Sequence, residues 1–150
     1  MELRVVKEYY DNGKILREWT ENEEGQKYGT FQHWYPNGQL MDQCEYVNGN
    51  RHGIRYEWHS NGQLWEQCEY VNGNCHGLLY SWNKDGLLDC ILQWDNNDLL
   101  VLVDYSYRGK PRKVVVIEVY GGNIESTKFV ADVVAKLKEE GCKFKIKHVN

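Results

Sequence analysis

The chain has 150 residues, 41% hydrophobic and 13% aromatic, with a formal net charge of −4. That length and composition describe about one domain and exclude a disordered chain; no apolar run approaches the roughly 20 residues of a membrane-spanning helix. Met1-Glu2-Leu3-Arg4 leads into polar sequence without the apolar core of a signal peptide, so a cytoplasmic location is expected. Charge is uneven: residues 1–100 hold 8 Lys+Arg against 16 Asp+Glu, whereas residues 101–150 hold 10 against 6. An acidic body and a basic tail favour head-to-tail contacts or an anionic partner at the tail.

Val5, Lys7 and Tyr9 alternate with their neighbours and run into Asn12-Gly13, a strand followed by a turn. This is a worn first copy of a unit that then recurs. Pro36-Asn37-Gly38-Gln39-Leu40 returns as Ser60-Asn61-Gly62-Gln63-Leu64 and as Lys84-Asp85-Gly86-Leu87-Leu88, a step of 24 residues. Gln43 to Asn50 repeats letter for letter as Gln67 to Asn74, and His52-Gly53 returns as His76-Gly77. Identity at a fixed step predicts a stack of like supersecondary units. The first copy has 12 residues from Gly13 to Gly25 where later copies have 11, so its corner within Glu21 to Glu24 carries an insertion.

A three-residue loop, Pro36-Asn37-Gly38, with glycine at the left-handed position, pairs Trp34 with Leu40, Trp58 with Leu64 and Trp82 with Leu88. Continued without interruption, that register pairs Ile54 with Cys68 and Leu78 with Leu92. It places Trp34, Tyr46, Tyr56, Trp58, Tyr70, Tyr80, Trp82 and Trp94 on one aromatic face with Cys44 and Cys68. Gln43, Gln67, Glu45, Glu69, Arg55, Glu57 and His59 fall on a wet opposite face, and Glu66 is the one charge on the apolar side, opposite Tyr56.

After Trp94 the repeat decays. Leu99 to Val103 reads as an apolar strand, turned by Arg108-Gly109-Lys110-Pro111 into a second strand from Lys113 to Tyr120. Gly121-Gly122-Asn123 breaks it, and Asn123 or Ser126 caps a helix from about Ile124 to Glu140 that ends at Gly141. Phe129, Val130, Val133, Val134 and Leu137 share one helical face. A final amphipathic strand runs from Cys142 to Val149. This strand-helix-strand piece is expected to cap the open end of the repeats, dividing the chain into repeats at 1–98 and a capping element at 99–150.

Chemistry-bearing residues are present without the spacing that chemistry needs. Five cysteines, with no CxxC pair, read as free thiols of a reducing compartment. His52, His76, Cys75, Cys44 and Cys68 offer metal-ligand types in no ligand pattern, so His-Gly is corner geometry. Cys75-His76 adjacency does not orient a base toward a thiol, and the glycines serve hairpins rather than phosphates. Neither catalytic residues, metal nor cofactor is expected. Arg108, Lys110, Arg112 and Lys113 at a turn, with Lys143, Lys145 and Lys147 along the last strand, form a candidate patch for an anionic ligand.

The in-phase Tyr-x-Asn-Gly-x-Leu and His-Gly pieces, as in Tyr35-Pro36-Asn37-Gly38-Gln39-Leu40 and His52-Gly53-Ile54, resemble the MORN repeat family in its variant hairpin form, over about residues 9 to 94. The resemblance implies a mainly β, single-layer antiparallel sheet of stacked hairpins without enzymatic activity. It also implies a scaffold that binds another protein, a tether to anionic lipid or phosphoinositide, or an accessory protein of the bacterial antitoxin-like or giant-virus kind. The partner expected first is a protein held on the aromatic face. Nucleic acid is not expected, and self-association through a sheet edge or the C-terminal element is a further expectation.

Overall fold

A computed structural model describes residues 2–95, 98–104, 115–120, 124–139, 141 and 143–149. The strands are β1 (Arg4–Tyr9), β2 (Ile15–Glu21), β3 (Lys27–Trp34), β4 (Leu40–Val47), β5 (Asn50–Trp58), β6 (Leu64–Val71), β7 (Asn74–Trp82), β8 (Leu88–Asp95), β9 (Asp98–Asp104), β10 (Val115–Tyr120) and β11 (Phe144–Val149), with helix α1 (Ile124–Glu139) before β11. They form one 11-stranded sheet in sequence order. Every neighbouring pair is antiparallel except β10 and β11, which run parallel because α1 carries the chain back.

Two kinds of turn alternate along the meander. At the tips, Tyr35 N–H donates to the Gln39 carbonyl and Gly38 N–H to the Tyr35 carbonyl, both at 2.8 Å, with Gly38 at φ +90°. The same pair of bonds closes the loops at Tyr10/Lys14, His59/Gln63 and Asn83/Leu87, which is the three-residue loop expected from the sequence. The corners are tighter. Asn48 and Gly49, like Asn72 and Gly73, both take left-handed φ, the two-residue hairpin turn that Asn-Gly favours. In the first copy the extra residue converts the corner into a tip-type loop, closed by Asn22 and Gln26.

The tips are also laced to one another. Tyr10 Oη donates to the Trp34 carbonyl (2.6 Å) and Tyr35 Oη to the Trp58 carbonyl (2.9 Å), and His59 Nε2 bonds the Trp82 carbonyl at 2.9 Å. One repeat thus satisfies backbone oxygens of the next, which is why like residues at a step of 24 fall into columns.

Trp34–Leu40, Trp58–Leu64 and Trp82–Leu88 pair as expected, but the register then slips by one residue in each repeat. Met41, Trp65 and Asp89 are the extra residues, so Ile54 meets Glu69 rather than Cys68, and Leu78 meets Gln93 rather than Leu92. A one-residue slip exchanges the faces of a strand. The expected single aromatic face is therefore two faces. Further slips accompany Gly53 and Gly77, whose φ of +74° and +76° within strands only glycine adopts without strain.

One face, here the core face, carries two clusters: Phe31, Cys44 and Tyr46 with Trp19, and Cys68, Cys75 and Leu79 with Tyr70, Leu92 and Trp94. The other, the helix face, carries a row that crosses the sheet from Gln32 through Gln43, Tyr56, Gln67, Tyr80 and Ile91 toward Ile117. At its C-terminal end α1 covers it: Val133 and Leu137 pack with Phe129, Val130 and Val134 against Leu78, Tyr80, Leu88, Ile91, Ile117, Val119 and Phe144. Burial of a side chain such as Leu137 contributes about 1.5–3 kcal/mol, and this cluster anchors the cap. The helix covers a face, while β11 becomes the new sheet edge and blunts it with Lys145 and Lys147.

Cys68 and Cys75 lie diagonally across β6 and β7, Cys68 pairing with Leu79 and Cys75 with Tyr70, and are joined as a disulfide around the Asn72-Gly73 corner. The expectation of free thiols fails at this pair. The bridge joins the two cysteines of one hairpin, whereas Cys44 and Cys68, at equivalent positions of successive repeats, do not meet. The inference of a reducing compartment loses that premise.

Candidate functional site

The register slips decide which aromatic residues are available. Tyr46, Tyr70 and Trp94 belong to the core face, where they pack in the two clusters. Lys27 Nζ lies 4.4 Å from the Phe31 ring centroid and 5.3 Å from those of Trp19 and Tyr46; Arg51 lies 5.5 Å from the Tyr70 centroid and bonds Tyr46 Oη. Burial, then repulsion from Arg17 and Arg51, lowers the Lys27 pKa. Cation and ring are thus satisfied within the protein. Cys75 holds the position equivalent to Lys27 and Arg51, replacing the cation by a sulfur bridge.

Between the two clusters the core face carries a charged group. Arg55, its side chain 14% exposed, bonds Asp42 Oδ1 at 2.9 Å and also Glu57, with Glu66 at 3.8 Å. Glu66 therefore lies opposite Glu57 beside Arg55, not opposite Tyr56, and Arg55 and Glu57 are on the core face rather than the wet one. Burial opposes the Arg55 charge, but attraction to Asp42, the bond to it and attraction to Glu57 raise its pKa. Burial first, then repulsion from Glu57, raises the Glu66 pKa against the pull of Arg55. A carboxyl that binds its proton more tightly folded than unfolded makes stability fall as pH rises past the ordinary carboxylate range. Glu66→Gln is thus expected to raise the melting temperature at neutral pH, with the gap closing as pH falls toward that range; a gap of constant size across a pH series would contradict it.

Tyr56, Trp58, Tyr80 and Trp82 lie on the helix face, with Trp34 at the equivalent position of β3. Tyr80 and Trp82 stack with centroids 5.9 Å apart, and Tyr56 and Trp58 pack tilted at the same separation. Trp65, the extra residue of its repeat, stacks at 5.5 Å on His59, which follows Trp58 and so turns to the core face. Over β7 and β8 the helix face lies under α1; over β4 to β6 none of the described residues covers it, Ile54 is 43% exposed, and Val47 and Val71 are exposed. Gln43, Gln67, Glu45 and Glu69 intersperse them. Rigid rings with a polar margin on an uncovered sheet make a surface suited to holding a partner.

The anionic-ligand patch divides. Lys143, Lys145 and Lys147 are exposed, and Lys147 Nζ pairs with Glu118 at 3.2 Å. Arg108, Lys110, Arg112 and Lys113 lie outside the described residues. Among the described residues no His, Cys, Asp or Glu group is placed to hold a metal ion, and no helix is long and apolar enough to cross a membrane. A depression of about 660 Å³ beside the β1 edge is lined by Glu2, Arg4, Glu23 and Glu24 among others, with neither Cys nor His in its lining.

A family model described as MORN repeat variant matches residues 5–20, 27–48 and 51–72. No curated protein matches the chain.

Proposed function

Since residues 5–72 belong to the MORN repeat variant family, a repeat scaffold, we propose that the chain is non-enzymatic and holds a partner protein on the helix face of β4 to β6. The observation that carries this reading is the strip of Ile54, Val47 and Val71, exposed beside the ring pair Tyr56 and Trp58. Apolar groups of this size on a monomer's surface are what interfaces bury. Aromatic anchors there give up little rotamer freedom on binding.

Affinity capture from the native host tests it, comparing the wild-type chain with Ile54→Asp. A partner recovered by the first and lost by the second is expected; equal recovery would overturn the reading. The lysines of β11 point to a separate outcome, salt-sensitive sedimentation with anionic vesicles. Because Lys147 is already paired with Glu118, the chain is expected to stay in the supernatant.

A further inference from the structure

Helix α1 has already demonstrated what fits this face one repeat away. It rests on Leu78, Tyr80 and Ile91. Stepping back by 24 residues from these gives Ile54, Tyr56 and Gln67, which hold the same places in the ladder, on strands joined by the same tip loops, with no helix above them among the described residues. A step of one repeat is two strands, or about 10 Å across a sheet, which is also the distance, about 8–10 Å, at which neighbouring helices pack. The interface between α1 and the sheet therefore continues onto an open berth of the right width. The substitutions within the berth describe its occupant. Gln67 stands where the covered repeat has Ile91, and exposed Glu69 stands where it has Gln93, with Glu45 one repeat further on. A helix seated there must bring a polar group to Gln67 and cations toward the two glutamates.

We propose that the helix face of β4 to β6 docks an amphipathic helix of a partner protein, laid beside α1, with an apolar stripe on Ile54, Tyr56 and Val71 and a Lys/Arg-rich flank toward Glu45 and Glu69. The proposal rests on the reading of this face as a binding surface and adds the shape and charge of what binds.

The test is selection of a random 20-residue peptide display library on the full chain, each binder then being measured against Ile54→Asp and Val71→Asp. Both positions are exposed, and circular dichroism checks that the variants keep the sheet. The expected binders carry apolar residues at i, i+3, i+4 and i+7 with a basic flank, gain helical signal on binding and weaken more than tenfold on either variant. They weaken several-fold on Glu45→Gln with Glu69→Gln. Binders that depend on Ile54 and Val71 but bind as extended chains would overturn the helix and leave the docking face standing. Binders indifferent to both variants, or none at all, would overturn both.

Discussion

Arg55→Met should destabilise the protein by about 3–5 kcal/mol, because removing one partner of a buried ionic group leaves the others charged and uncompensated. Asp42, Glu57 and Glu66 all face the Arg55 guanidinium, with side chains 11%, 19% and 25% exposed. For a chain of this length the loss corresponds to a fall in melting temperature of about 10 °C or more. Two internal controls give the prediction its content. Adding Asp42→Asn and Glu57→Gln to Arg55→Met should restore part of the stability, since the stranded charges go with it. Lowering the pH should narrow the gap between Arg55→Met and wild type as the carboxyls take up protons. A variant within about 1 kcal/mol of wild type at neutral pH, where surface substitutions usually fall, would mean that water screens the group fully.

Breaking the Cys68–Cys75 bridge should cost about 2–3 kcal/mol, the chain-entropy value for a loop this short. The cysteines are 7 residues apart and the loop between them is the Asn72-Gly73 corner. Oxidised wild type should therefore melt about 5–10 °C above the reduced protein, while Cys68→Ser should melt low and ignore reductant. Thiol titration in denaturant supplies the independent reading: the oxidised chain should show two fewer thiols than the reduced one. Equal thiol counts would remove the bridge, and with it the tie across β6 and β7. Cys44, the equivalent of Cys68 one repeat earlier, has Arg51 where Cys68 has Cys75, so that hairpin has no second cysteine to bridge to; burial raises the Cys44 thiol pKa against the pull of Arg51.

Much of the architecture was written in short-range chemistry. Asn-Gly at a corner and Pro-Asn-Gly at a tip each select a turn from local φ preference alone, and both turns form where the letters place them. The cap was equally plain. Apolar residues at helical spacing from Phe129 to Leu137 required a surface to cover, and α1 covers one. The candidate site was only half legible. Tyr46, Tyr70 and Trp94 look interchangeable with Tyr56, Tyr80 and Trp82 as aromatic residues, and what separates them is the single residue that each repeat inserts after the tip. No composition or periodicity marks Met41, Trp65 or Asp89 as unpaired. The same blindness hid the group around Arg55: Arg55 and Glu57 read as wet surface and Glu66 as an isolated charge opposite Tyr56, until the slip brought them together on the core face.

The sequence by itself determined the repeat, its step, its turns and the order of strands, because each depends on bonds between residues near in the chain. Only the tertiary structure decided which face each side chain occupies, which cysteines meet and where the open berth lies. Those outcomes hang on one-residue bulges whose position is set by how neighbouring strands fit together, and a shift of one residue exchanges the two sides of the sheet.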